Sequence, residues 1–294
     1  MSRRVVVLGD LMVDVVARMA APLATGSDTP ARVRTRPGGA GANVAAWLAV
    51  AGAPVILVAR AGDDEHGRGA VERLRGHGVD ARVAADPALP TGTCVVLVAP
   101  GGERSMLPDA GANAALSPAD LPDDAFAAGA HLHVVGYSLL RDGPPRATAT
   151  AALRRAREAG MTVSLDPSSA APLAAFGAAR FLDLAGPLAL LLPNRDEALV
   201  LAAPEDDPVA AARALATRAR EVVVTLGADG ALWTDGTAVV AAAAAAPGPV
   251  ADTTGAGDAF TAGFLAAWLR GADPTEALAA GGALAARAIV IASG

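Results

Sequence analysis

Asp252-Thr253-Thr254-Gly255-Ala256-Gly257-Asp258-Ala259-Phe260 brings a flexible turn, a helix start and a carboxylate together in nine residues. The residues that follow, through Arg270, are helical in pattern. The glycines allow a tight turn with little side-chain obstruction, and Thr254 is placed to cap the helix. A helix start presents unpaired N–H groups, and its dipole favours negative charge, so the turn is an anion site that needs no lysine. Asp258 falls in the first turn. A carboxylate there can take a proton from an attacking hydroxyl while the N–H groups hold developing charge. The plainer alternative is a glycine turn followed by an acid that stabilises the helix start.

A second glycine-rich string, Pro37-Gly38-Gly39-Ala40-Gly41-Ala42-Asn43-Val44-Ala45, leads into another helical stretch. Only glycine allows a ligand so close to the backbone, and asparagine offers both a donor and an acceptor to a diol. The spacing is not Gly-x-Gly-x-x-Gly and no strand leads directly into it, which disfavours a dinucleotide fingerprint. Asp10 and Asp14 follow the apolar run Val5–Leu8, where ligands of open α/β sheets bind. Both also fit as solvated loop acids. Asn194 with Glu197 after Leu188–Leu192 reads as a capping box at a strand's carboxyl end. Thr225-Leu226-Gly227-Ala228-Asp229-Gly230 ends a further strand, and Asp166-Pro167-Ser168-Ser169 ends another that borders the same edge. His131 and His133 share one strand face; with no third histidine or cysteine nearby, zinc is disfavoured.

Asp252–Phe260 resembles the carboxyl-terminal signature of the PfkB family, the ribokinase-like carbohydrate kinases, and Pro37–Ala45 resembles that family's amino-terminal signature. The resemblance covers nearly the whole chain. It implies transfer of the γ-phosphate of ATP to a hydroxyl, expected to be a terminal hydroxymethyl, of a small sugar. Asp258 is then the catalytic base, and the backbone of Gly255, Ala256 and Gly257 is the anion hole. Gly38, Gly39, Asn43, Asp14 and Asp10 bind the sugar, with Arg104 reaching substrate or phosphate. Asn194, Thr225, Gly227 and Gly230 serve the nucleotide. Glu197 organises Mg²⁺ indirectly, and Asp252 holds a monovalent cation, K⁺. Met12 stands where a true ribokinase carries asparagine, which counts against ribose itself. The Asp-x-Asn-x-Arg pattern of some relatives is missing after Asp166, which counts against an acidic sugar. A nucleoside kinase is the runner-up, with Trp47 and Tyr137 available for a base. A catalytically silent sugar-binding protein on the same fold is the alternative of another class; Asp258 and its glycine turn argue against it.

The elements that must hold these residues fall into two rhythms. From His131 onward, strands at 131–136, 161–165, 188–192 and 221–225 alternate with helices at 145–159, 194–202, 208–219, 257–270 and 275–290. Such alternation predicts an α/β fold with a mostly parallel central sheet covered by helices on both faces. The earlier strands near 13–17, 32–36, 93–99 and 104–107 do not fit. They predict a small β lid, contributed by about 13–37 and 92–108, on a single ribokinase-like domain spanning 1–294. A homodimer through that lid is the expected assembly.

Composition narrows the classes further. The chain has 294 residues, enough to bury a sizeable core, and a net charge of −6. With no basic tract, neither nucleic acid nor an anionic membrane is an expected partner. All 24 basic residues are arginine, which excludes a Walker A loop and a lysine Schiff base. A single cysteine, Cys94, excludes an intramolecular disulfide. The start of the chain lacks the pattern of a secretory signal, so a cytoplasmic location is expected.

Overall fold

A computed structural model describes residues 3–245 and 255–292. The chain opens with β1 (Val5–Leu8), β2 (Met12–Met19), β3 (Ala31–Gly38), α1 (Ala40–Val50), β4 (Val55–Gly62), α2 (Glu65–Gly76) and β5 (Asp80–Asp86). A hairpin follows, β6 (Gly92–Val98) and β7 (Arg104–Asp109). Alternation then sets in: β8 (His131–Val135), α3 (Tyr137–Leu140), α4 (Pro144–Glu158), β9 (Thr162–Asp166), α5 (Ala170–Phe176), α6 (Ala178–Ala185) and β10 (Leu188–Leu191). The last part comprises α7 (Arg195–Leu201), α8 (Pro208–Leu215), β11 (Ala219–Thr225), β12 (Ala231–Thr234), β13 (Val239–Ala242), α9 (Ala256–Leu269) and α10 (Pro274–Ala292).

Among the described residues, nine strands form one sheet in the order β13-β12-β11-β10-β9-β8-β1-β4-β5. β5, β4, β1, β8, β9, β10 and β11 run parallel, and β12 and β13 run antiparallel at one edge. This is the α/β architecture that the alternation of periods predicts. Strand periodicity divides the buried side chains between two cores. Val6 and Leu8 face Leu132, Leu165 and Phe181 beneath α4 to α8, whereas Val5 and Val7 face Leu48, Leu57 and Phe264 beneath α1, α2, α9 and α10. Because β1 pairs with both β4 and β8, the chain reverses its direction of travel across the sheet there. A crevice at the carboxyl ends of the strands beside such a switch point is where open α/β sheets bind ligands.

The second sheet has the order β3-β2-β6-β7 and comes from residues 12–38 and 92–109. One of its faces carries Asp14 with buried Met12, Val16, Cys94 and Val96. The other leaves Val33, Val95 and Leu107 exposed. Asn113 anchors this sheet to the large one: its amide donates to Leu11 O at 2.9 Å and accepts from Leu11 N–H at 3.0 Å, closing both backbone groups in the β1–β2 link.

Several boundaries depart from the sequence pattern. The helix expected over 208–219 ends at Leu215, because Ala219 already pairs with Leu188 of β10. Its alanine-rich tail carried no mark of the change. Residues 170–185, where the sequence pattern names no helix, form two short helices broken at Gly177, whose φ of +98° suits glycine. The paired histidines belong to the core. His131 bonds Thr162 Oγ1 (2.8 Å) and Ser164 Oγ (2.7 Å), and His133 bonds Ser164 Oγ (2.8 Å). Burial pushes both imidazoles down to about 3, so they are neutral structural groups.

The junction between β1 and α1 is set by glycine against glycine. A Cβ on Gly9 would stand 2.7 Å from Gly41 Cα and 2.9 Å from Val135 Cγ2. Gly9→Ala should therefore destabilise the protein by about 1–3 kcal/mol, the usual range for overpacking. A thermal denaturation midpoint equal to wild type would show that the junction yields freely.

Candidate active site

α9 starts at Ala256 with Gly255 as its N-cap, held at φ +77°. Thr254, the expected cap, and Asp252, the expected cation ligand, lie outside the described residues. A glycine cap has no side chain of its own to accept the first-turn N–H groups. Gly257 lines the crevice, and a Cβ placed on it would meet nothing within 4 Å. α9 itself is held by close packing: a Cβ on Gly263 would lie 2.5 Å from Ala280 O, and one on Gly281 would lie 2.9 Å from Phe260 Cε2. Asp258 thus hangs from the first turn of a rigid, buried helix.

Across the crevice, Asn43 Nδ2 donates to Asp258 Oδ2 at 2.8 Å, joining residues 215 positions apart. Asn43 stands in the first turn of α1, and Asp10 organises that turn. The Asp10 carboxylate accepts from Gly41 N–H at 3.1 Å, and its backbone oxygen accepts from Ala42 N–H at 3.0 Å. Gly39, the N-cap at φ +92°, would bring a Cβ within 2.7 Å of Asp10 O. Gly38 would bring one within 2.2 Å of Asp14 Oδ1. The space freed by these two glycines is therefore taken by the protein's own Asp10–Met12 backbone and Asp14 carboxylate. That is a different reason for glycine from the ligand approach expected of the string. Asp14, buried on β2, pairs across the ladder with Arg36, whose Nε lies 3.7 Å from Asp14 Oδ2.

The crevice around Asp258 has a volume of about 140 Å³ and is also lined by Ala40, Asp166, Ser168, Leu192, Asn194, Glu197, Thr225 and Thr261. Asn194 caps α7 in a full capping box: Oδ1 accepts from Glu197 N–H at 2.9 Å, and Asn194 N–H donates to Glu197 Oε2 at 2.9 Å. Asn194 Nδ2 donates to the second Glu197 oxygen at 2.7 Å. The cap therefore fixes both side chains at the sheet edge, beside Thr225, which bridges Asn194. Gly227 lies in the exposed turn after Thr225, tied to α7 by the Arg195–Asp229 ion pair. Gly230 is packed against Ala242 O of β13, so it shapes the turn from behind. Arg104 sits exposed at the start of β7.

Charge dominates this site. Burial pushes Glu197 up to about 8, reinforced by Asp166, and pushes Asp166 up to about 6. Burial also raises Asp258 well above the usual carboxylate range; Asn43 opposes this, while Asp166, Asp10 and Asp14 add to it. Asp10 is raised by burial and restrained by Gly41 N–H. Such crowding of acids fits a site completed by a cation, since added positive charge favours every ionised form. Among the described residues, no group of three or more histidine, cysteine or acidic side chains could hold a metal alone. The buried Glu197 and the partly buried Asp166 fit Mg²⁺ arriving with phosphates and water.

Some site residues carry no sequence signal. Ser168 is the one described non-glycine residue with positive φ (+77°); its N–H donates to Asp166 Oδ1 at 2.7 Å. A turn of that kind is not legible in Asp-Pro-Ser-Ser. Thr261 was legible only as lying one helical turn beyond Asp258. A second recess, leaving about 20 Å³, joins Asp10 and Met12 to Asn113, Leu116, Tyr137 and Arg141. Burial pushes the Tyr137 phenol up to about 12. Trp47 lies elsewhere, on α1 beneath Arg287, 6.0 Å from guanidinium to ring centre.

Residues 2–291 match the model of the pfkB family of carbohydrate kinases. The chain belongs to that family, and it is an ATP-dependent carbohydrate kinase. It is 35% identical over 279 residues to a fructokinase from Klebsiella pneumoniae, covering 90% of this chain and 84% of that protein. Among solved structures, an adenosine kinase from Sinorhizobium meliloti superposes with a TM-score of 0.88 at 26% identity, covering 98% of this chain and 94% of the other. A ribokinase from Arabidopsis thaliana, complexed with ribose and ATP, superposes with a TM-score of 0.82 at 28% identity, covering 99% and 93%.

The Asn43–Asp258 bond generates a pH prediction. Asn43 donates to the ionised carboxylate and so lowers its pKa. Asn43→Ala leaves burial unopposed and raises it further. A base works ionised, so the acid limb of the kcat/KM profile should move to higher pH in Asn43→Ala. A limb at the wild-type position would show that this bond does not tune Asp258.

Proposed function

We propose that this kinase phosphorylates a hydroxymethyl group of a small neutral sugar, with Asp258 as its base. The observation that carries this reading is the Asn43–Asp258 hydrogen bond, which sets a proton acceptor and a diol-binding amide side by side above the open turn at Gly257. The acceptor oxygen forms its bond to the γ-phosphorus of ATP as the bond to the ADP oxygen breaks. Asp258 Oδ takes the hydroxyl proton, and the first-turn N–H groups of α9 hold the charge on the phosphoryl oxygens. Asp14 and Asp10 orient the sugar, and Asn194 and Thr225 border the nucleotide. Mg²⁺, held toward Asp166 and Glu197, neutralises the phosphates when bound. Acting as a lid, the small sheet would exclude water, the competing acceptor. The 20 Å³ recess behind Met12, Leu116 and Tyr137 favours a small sugar over a bulky base. The likeness to an adenosine kinase favours a nucleoside as the second reading. Turnover of a panel of neutral sugars, sugar acids and nucleosides with MgATP decides between them. Comparing K⁺ with tetramethylammonium tests the cation assigned to Asp252: equal rates would remove it.

Asp258→Asn keeps the shape but cannot accept a proton at neutral pH. Turnover should fall about 10²–10⁴-fold with ATP affinity held. The stability change has a defined sign. Asp258's pKa is raised on folding, so its favourable contribution exists only at acid pH and is lost as pH rises through the folded value. At neutral pH the ionised group opposes folding, and Asp258→Asn should raise the thermal midpoint, with the gap closing towards pH 4. A fallen midpoint with wild-type turnover would leave Asp258 as a mere helix-start charge.

Asp14→Ala should raise the sugar KM about ten- to hundredfold, because each charge-assisted bond to a hydroxyl is worth about 1.5–3 kcal/mol. The KM for ATP should hold; an unchanged sugar KM would make Asp14 a structural partner of Arg36 only. The outer face of the small sheet, with Val33 61%, Val95 36% and Leu107 54% exposed, is the proposed surface for a homodimer. Sedimentation should show a dimer that Val95→Lys converts to monomer, and a wild-type monomer at micromolar concentration overturns the assembly.

A further inference from the structure

At the opposite end of the large sheet, beyond the amino ends of its parallel strands, the protein holds a cavity of about 430 Å³. It is larger than the crevice around Asp258 and shares no residue with it. Glu221, which lines it, lies four residues before Thr225 on β11, about 13 Å along the strand. Two indoles form its wall: Trp233 from β12 and Trp268 from the last turn of α9.

One carboxylate fixes both rings. Glu221 Oε2 accepts from Trp233 Nε1 at 2.7 Å and from Trp268 Nε1 at 3.0 Å. Glu221 Oε1 lies 3.3 Å from Arg220 Nη2, and the Arg220 guanidinium stands 5.9 Å from the centre of the Trp268 ring. His131 packs against Trp268 at 70°, 5.7 Å between centres, and fixes it from the sheet side. The indole N–H groups are thus consumed inside the protein, and the rings offer carbon surface only. Arg3 lines the cavity with Arg220, so its lining holds two arginines and one carboxylate, Glu221, whose oxygens are already bonded.

A cavity of this size, with aromatic walls and a few placed charges, has the makeup of a small-molecule site. Its flat apolar walls suit a ring, and the excess of guanidinium suits an anion that also stacks. We propose that this cavity binds a planar aromatic anion, its ring against Trp233 and Trp268 and its acid group on Arg3 and Arg220. The site is independent of the kinase reading, because no residue of the crevice takes part.

The test uses the three tryptophans. The whole protein, with ADP and Mg²⁺ saturating so that the nucleotide site is filled, is titrated with 2-naphthoate while the three indole N–H signals are followed by NMR. The Trp233 and Trp268 signals should move together and the Trp47 signal should stay. The neutral isostere 2-naphthylmethanol should bind more weakly. Arg220→Ala, a change at a side chain 65% exposed, should weaken naphthoate about two- to fivefold and leave turnover and thermal midpoint at wild-type values. Ala272→Phe, which fills the cavity, should abolish the shifts. No movement at millimolar naphthoate, movement of Trp47 alone, equal affinity for the neutral alcohol, or an unaltered affinity in Arg220→Ala would each overturn the proposal.

Discussion

The crowding of acids, one buried and three partly buried, at the carboxyl edge of the sheet is the constraint to which the rest of the structure answers. Asp10, Asp166, Glu197 and Asp258 all have their ionised forms disfavoured, and in each the first cause is burial. Left alone, such groups would take up protons and cease to be useful as bases or cation ligands. The protein answers with backbone and amide donors: Gly41 N–H on Asp10, Ser168 N–H on Asp166, Asn194 on both oxygens of Glu197, and Asn43 on Asp258. Each donor restores part of the charge without supplying a competing cation.

Close backbone packing gives those donors their positions. Gly9 against Gly41 sets the distance between the end of β1 and the start of α1, and Gly263 and Gly281 set α9 against α10. Two helix starts are thereby brought face to face, one carrying Asn43 and the other Asp258. The Asn43–Asp258 bond is a consequence of that packing. A side chain at any of these glycines would move the helix, and the bond length of 2.8 Å would go with it.

The two ends of α9 have unlike roles. Its first turn carries Asp258 behind a glycine cap, and its last turn carries Trp268, clamped by Glu221 and His131. The small sheet divides its work by face in the same way. Asp14 shares a face with Met12, which lines the small recess beside Asp10, whereas Val33, Val95 and Leu107 lie on the opposite, exposed face. Strand periodicity makes this possible, since successive residues serve opposite surfaces.

Much was legible in local pattern. The two glycine strings, the capping residues Asn194 and Glu197, the parallel alternation after His131 and the odd strands of the small sheet all arise from short-range chemistry: turns, caps and hydrophobic period. Their role as neighbours was reached through resemblance, and the family match upholds the class. Legibility failed where the cause is long-range. The alanine-rich stretch around 216–219 looked helical until pairing with β10 claimed it. Gly38 and Gly39 looked open to ligand, yet Asp14 and the β1–β2 link fill their space. His131 and His133 could be placed on one strand face, but their partners, Thr162 and Ser164 on the neighbouring strand, could not be read from sequence. By itself the sequence determined which residues could turn, cap, donate or ionise, because those are properties of a few neighbouring bonds. Only the tertiary structure decided that Asn43 meets Asp258 and which carboxylates lose water together, because burial and contact depend on segments more than two hundred residues apart.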